Sequence, residues 1–192
     1  MTKYRGESDH LDSLSYVKSH YFSLSKPHRI LTTAHSPYKV NRANTMVHML
    51  SGCYITDHRA RHWTHSNPEG YCRLYRLPEA AGGREADVGD LTHQLLFCPV
   101  LAEARVRAVG CWSSYMEDGP HLLPLVVAHT TQGTVEDHMS ILMDPTSCPL
   151  IISAAQEMGE TVYSDCLYMS RVWCHSIHHL RMKLFKQHSI LK

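Results

Sequence analysis

Cys72, His93 and Cys98 are the residues whose types and spacing best fit a chemical task. Cys72 opens Cys72-Arg73-Leu74-Tyr75, and His93-Gln94-Leu95-Leu96-Phe97-Cys98 follows about a loop's length later. A Cys pair in a tight turn followed by His-x4-Cys at a helix end is a recurrent zinc-binding order. The turn aims its thiolates at one point, and the 93/98 spacing carries imidazole and thiolate round about one and a half turns. Four soft or borderline ligands then close a tetrahedron, with Zn–S about 2.3 Å and Zn–N about 2.0–2.1 Å. A metal held this way supplies folding energy that a loop-rich segment lacks. One corner departs from the pattern: Tyr75 stands where the second Cys is expected, and a phenol is a rare zinc ligand. The fourth ligand is then unknown, with His62, His65 and Cys53 as candidates. The competing reading keeps Cys72, His93 and Cys98 as half-buried packing residues in a site without metal. No Glu base accompanies the three, so a catalytic metal is not expected.

The rest of the composition narrows the classes. The chain has 192 residues, 43% of them hydrophobic and 19% charged, which suits a folded domain better than a disordered or collagen-like chain. Seven cysteines at irregular spacing and a polar start over residues 1–10 argue against a disulfide framework and a signal peptide. No apolar run reaches the roughly 18 residues of a membrane span. The expectation is an intracellular protein, nuclear or cytoplasmic, with no membrane partner.

Formal net charge is +1, yet its distribution is uneven. Residues 79–118 are acidic on balance. After Asp165 no acid occurs, while Arg171, Arg181, Lys183, Lys186 and Lys192 are all cationic. Arg171, Arg181, Lys183 and Lys186 are therefore the candidates for phosphate contacts, against the plainer reading of a solvated basic face. Cys174 and His178, spaced i, i+4, could pair as nucleophile and base. No orienting acid follows Asp165, and the apolar stripe beside them favours packing, so no catalytic residue is assigned.

The elements that must position these residues read as mainly α. Residues 41–50 carry an apolar face of Met46, Val47, Met49 and Leu50, with Asn41 or Asn44 as caps and Gly52 as a stop. Ser36-Pro37-Tyr38 reads as an extended or turn connection. Residues 56–65 read as a short helix with His58, His62 and His65 on one face. Residues 66–90 read as a loop. Asp90 is expected to cap a helix over residues 91–98, with Pro99 opening or breaking the next helix. Residues 120–128 are an apolar run, helical after Pro124. Thr134 and Asp137 suggest a capping box before residues 135–143, and Pro149 a helix start. The strongest pattern is the last: Val162, Cys166, Met169, Trp173, Ile177, Leu180 and Leu184 trace one stripe along a helix over residues 160–187. The expected organisation is a loosely packed arm over 1–40, a helical region with the degenerate Cys/His element over 41–110, and a C-terminal helical region over 111–192.

Cys72 with His93-x4-Cys98-Pro99-x-Leu101, after His48-Met49-Leu50-Ser51-Gly52-Cys53-Tyr54 and Arg61-His62-Trp63, resembles the zinc-binding region that follows the polymerase in non-LTR retrotransposon reverse transcriptases. The likeness extends to Ser25-Lys26-Pro27-His28 and Ser36-Pro37-Tyr38 upstream. Downstream it takes in Leu142-Met143-Asp144-Pro145-Thr146-Ser147-Cys148-Pro149 and Tyr168-Met169-x2-Val172-Trp173-Cys174, so it covers about residues 15–184. The resemblance implies zinc as cofactor and RNA or DNA as partner, with Trp63 or Tyr75 able to stack on unpaired bases. It does not carry over an enzyme activity, because neither a Tyr-x-Asp-Asp polymerase signature nor an endonuclease module is present. The alternative is a structural or protein-interaction remnant without metal.

Overall fold

The computed structural model describes residues 37–51, 53–61, 65–76, 87–116, 134–145 and 148–188. They form a mainly helical body. In chain order these are α1 (Pro37–Leu50), α2 (Asp57–Ala60), α3 (Ala102–Met116), α4 (Val135–Met143), α5 (Pro149–Met158) and α6 (Thr161–Gln187). A 3-10 turn at Arg73–Arg76, a π-helical turn at His93–Phe97 and a 3-10 turn at Pro99–Leu101 lie between α2 and α3. No described helix is long and apolar enough to cross a membrane.

α6 is the hub. Its 27 residues span about 40 Å, and it buries more than the single stripe its apolar spacing predicts. Val162, Cys166 and Met169 pack with Ile151, Ala154 and Ala155 of α5 and Ile141 of α4. Leu167, Cys174, Ile177 and Phe185 join a larger core with Met46, Met49 and Leu50 of α1, Met139 and Met143 of α4, and Leu101 and Ala104. Residues from the 41–110 and 111–192 regions thus share one core. Trp173 and Leu184, on the predicted stripe, pack at its margin.

Local chemistry explains most boundaries. α1 begins at Pro37, earlier than the sequence pattern suggests, since a proline's fixed φ suits the first helical turn and its missing N–H is needed by no partner there. Asn41 and Asn44 consequently lie inside α1 with exposed side chains instead of capping it. Gly52 lies outside the described residues, as do the apolar run 120–128 and the arm up to residue 36. α2 is a single turn capped by Thr56, whose hydroxyl accepts from Arg59 N at 3.1 Å. His65 sits in a later turn, so His58 and His65 do not share a helical face, and His62 is outside the described residues. α5 starts on Pro149 as its N1 residue, and it ends at Gly159, whose φ of +96° lets the chain reverse into α6.

The capping box of α4 forms as its sequence implies. Thr134 Oγ1 accepts from Asp137 N at 3.2 Å, and the Asp137 carboxylate accepts from Thr134 N at 2.9 Å. Thr134→Ala should lower the urea midpoint at unchanged m-value by an amount equivalent to about 1 kcal/mol. An unchanged midpoint would mean that α4 is held by the packing of Met139, Ile141, Leu142 and Met143, without help from its cap.

Candidate metal centre

The Cys72 turn is built on a glycine-dependent clamp. Asn67 is buried and closes the turn before it, donating to Tyr71 O at 2.7 Å and accepting from Tyr71 N at 3.2 Å. Gly70 has φ +71°, and a Cβ there would lie 2.7 Å from His58 Cα, so only glycine fits. Gly70 O accepts from Gly89 N at 2.9 Å, Gly89 O accepts from His58 N at 3.2 Å, and Cys72 N donates to Asp87 O at 2.9 Å. These bonds, with the isolated bridge between Tyr71 and Val88, join three separate segments: the start of α2, residues 70–73 and residues 87–90.

A buried carboxylate anchors the same turn from below. Asp57, in the first turn of α2, is fully buried and accepts from Arg73 N at 3.2 Å and Arg73 Nε at 2.6 Å. Arg181 Nη2 approaches the same carboxylate at 3.6 Å.

The histidine and the second cysteine arrive on a π turn. Asp90 caps it as the sequence suggests, its Oδ1 accepting from His93 N at 2.6 Å. Cys98 N donates to His93 O at 2.7 Å, the i to i+5 bond that defines a π turn. Widening the helix this way places residues five apart nearly one turn on, closer than the one and a half turns of a regular helix. Trp173 Nε1 of α6 donates to Leu95 O at 3.1 Å and fixes the turn to the hub.

The result is convergence. A ring nitrogen of His93 and the Sγ atoms of Cys72 and Cys98 all lie within 4.8 Å of one another, and all three residues are buried. This group could hold a metal ion. Sγ of Cys72 and Sγ of Cys98 are 3.9 Å apart. The contact with Cys98, together with burial, pushes the Cys72 thiol well above the usual range, whereas the bond from Cys72 lowers Cys98. The pair thus holds one proton tightly, and a divalent cation is the species that would relieve the second ionisation.

His93 offers the test of fit. Its Nδ1 faces the Asp87 carboxylate at 3.7 Å, while its Nε2 is buried with no hydrogen-bond partner among the described residues. A carboxylate beside Nδ1 favours the proton there and leaves Nε2 a lone-pair donor, the usual outer arrangement of a metal-bound histidine. An orphaned buried imidazole nitrogen beside two thiols fits a metal better than it fits plain packing.

Tyr75 is not a ligand here. Its hydroxyl donates to Asp87 Oδ2 at 2.8 Å, and its ring tilts against that of His93 at 5.4 Å between centroids. The position expected to be cysteine therefore steadies the carboxylate that faces the histidine. Of the alternative fourth ligands, Cys53 is exposed and His65 is exposed; neither joins the group. His62 and Trp63 lie outside the described residues.

The expected phosphate contacts divide. Lys183 and Lys186 are exposed, but Arg171 and Arg181 are each only 3% exposed and face the interior. Formal charge along a helix says nothing about direction; spacing does. Arg181 follows Ile177 by four and precedes Leu184 by three, which puts it on the apolar stripe. Arg171 follows Leu167 by four and precedes Cys174 by three, on the second buried face. Cys174 is buried, and burial pushes its thiol up to about 12, the reverse of an activated nucleophile. Asp57, Asn67 and Asp87 carry no sequence signal of their own.

Comparison of the chain with protein-family models, curated proteins and solved structures finds no match.

Proposed function

We propose that the chain is a nucleic-acid-binding domain stapled by zinc on Cys72, His93 and Cys98, similar to the region following the polymerase in non-LTR retrotransposon reverse transcriptases, and without polymerase or endonuclease activity. The convergence of two buried thiols and an unpartnered imidazole nitrogen carries this reading. Zinc is the metal of choice because a thiolate and imidazole set with no redox demand selects it. Phosphate contact falls to the exposed face of α6, where His179, Lys183 and Lys186 recur at i, i+4 and i+7. RNA or DNA is the partner, and single strands suit such a short cationic stripe better than a duplex groove.

Fluorescence anisotropy with a single-stranded RNA across rising salt tests this reading. Affinity should fall with salt, and the double variant Lys183→Gln/Lys186→Gln should flatten the log–log slope by about 1.4, two phosphates at roughly 0.7 each. Binding that is indifferent to salt, or a slope unchanged by the double variant, would sink the assignment. The second reading, a structural or protein-interaction remnant, is favoured by the burial of Arg171 and Arg181, which removes two cations from the surface. It requires a folded protein that binds no RNA at low salt.

A further inference from the structure

Two thiols that meet at 3.9 Å have a second chemistry besides metal binding. A disulfide holds its sulfurs at about 2.05 Å, so the gap left to close is about 1.9 Å. Each backbone is held on its own side: Cys72 N donates to Asp87 O at 2.9 Å and Cys98 N to His93 O at 2.7 Å. Closure therefore falls to the side chains, which turn about χ1 from a shared target towards each other. That rotation takes both sulfurs off the point they share with His93.

The pair is buried but shallow. Cys72 is 2% exposed and Cys98 0%. Yet the Asp87 side chain, 61% exposed, faces His93 at 3.7 Å, and Phe97, the neighbour of Cys98, is 53% exposed. The thiols thus lie one residue beneath the surface, within reach of an oxidant the size of water. Other described cysteines sit differently: Cys53 is exposed, Cys148 and Cys166 pack in the smaller core, and Cys174 is buried on α6. The sulfur–sulfur contact singles out Cys72 and Cys98.

We propose that a peroxide joins Cys72 to Cys98 in a reversible disulfide, and that this bond and a bound metal exclude one another, so that the centre is redox-controlled. In the first step one cysteine sulfur takes an oxygen from hydrogen peroxide, giving a sulfenic acid and one water. The second thiol then attacks that sulfur. The S–O bond breaks, the S–S bond forms, and the hydroxyl leaves with the thiol proton as a second water. The cysteines give up two electrons and two protons, and the peroxide takes both.

Disulfide sulfurs carry no thiolate charge, so the oxidised pair is no longer a ligand set, and His93 by itself is too little for zinc. The exclusion rests on the zinc reading, whereas the bond itself needs no metal. What it adds is regulation without loss of the cross-link. Residues 72 and 98 are stapled through a metal when reduced and through a covalent bond when oxidised.

The test treats the full chain, metal-free and zinc-loaded, with hydrogen peroxide and reads intact mass, denatured thiol count and peptide map. The metal-free chain should lose about 2 Da and fall from seven free thiols to five, with Cys72 and Cys98 in one cross-linked peptide pair. Dithiothreitol should restore both thiols. In the zinc-loaded chain a chromophoric chelator should register about one zinc released per cross-link formed. Cys98→Ser should give no cross-link. Because that variant can also disturb the π turn, Cys53→Ser serves beside it: it removes the exposed thiol and should leave the yield of the 72–98 bond unchanged. No 72–98 bond in the metal-free chain, a bond to Cys53 in its place, or zinc still held by the cross-linked chain would each overturn the proposal. A reduced chain that takes up no zinc would refute the zinc reading instead, and the metal-free arm would still decide the bond.

Discussion

Purified, reduced protein is expected to carry about one zinc per chain, and its Cys98→Ser variant none. Cys98 is the residue to remove, because it is fully buried, closes the π turn through its own N–H and lies 3.9 Å from the other thiol. A hydroxyl there keeps the volume and loses the thiolate. Zinc should stabilise the fold as any ligand of the native state does, by about 4 kcal/mol at a thousandfold excess over Kd, and a chelator should remove that gain. The pH dependence has a definite sign. Contact with Cys98 and burial raise Cys72, so the metal-free pair keeps a proton that zinc must displace. Affinity therefore rises with pH through the neutral range, and zinc uptake releases acid. Asp87→Ala should weaken zinc by about 10- to 100-fold without touching a ligand, since it faces Nδ1 of His93. Tyr75→Cys should tighten it. Zinc absent from the parent protein, or retained by Cys98→Ser, would refute the site and bring the metal-free remnant forward.

What the sequence disclosed here was local, and what it withheld depended on long-range contact. The Thr134 capping box, Pro149 at N1, Asp90 as a cap and the apolar stripe of α6 each depend on residues within a turn or two of one another. They could be read because their physics is confined to short spacings. The order Cys72, His93, Cys98 was legible too, although its geometry was not. A π turn differs from an α turn by one hydrogen-bond register, which no spacing of side chains announces. Tyr75 shows the limit most clearly. As a string position it is a missing ligand; in the fold its hydroxyl holds Asp87, twelve residues on. The basic end of α6 misled for the opposite reason. Charge alone assigns Arg171 and Arg181 to the surface, whereas their apolar neighbours at three- and four-residue steps place both inside. Arg181 reaches Asp57 and Ile55 across most of the chain, and only the tertiary structure makes that pairing visible.

That interior pairing should carry the largest single-residue effect on stability. Asp57→Ala removes the fully buried carboxylate that meets Arg73 and Arg181, whose guanidiniums both lie against the Phe185 ring. Breaking a buried ion pair from one side costs about 3–5 kcal/mol. Against a total stability of about 5–15 kcal/mol, that is a large share. For a chain of this size it corresponds to a drop in Tm of roughly 6–20 °C. Asp57→Asn should cost less, because an amide oxygen still accepts from Arg73 N. Arg181→Met should also cost less than Asp57→Ala, since Asp57 remains paired with Arg73. Comparing Asp57→Ala alone and in the Arg181→Met background isolates the charge: if the arginine without its partner is what hurts, the double variant recovers part of the loss. The effect should reach the metal centre as well. Asp57 accepts from the N–H of Arg73, the residue next to Cys72, so zinc affinity should fall in the Asp57→Ala variant even at temperatures where it stays folded. A variant within about 1 kcal/mol of the parent would mean that water reaches these guanidiniums as well as the carboxylate does.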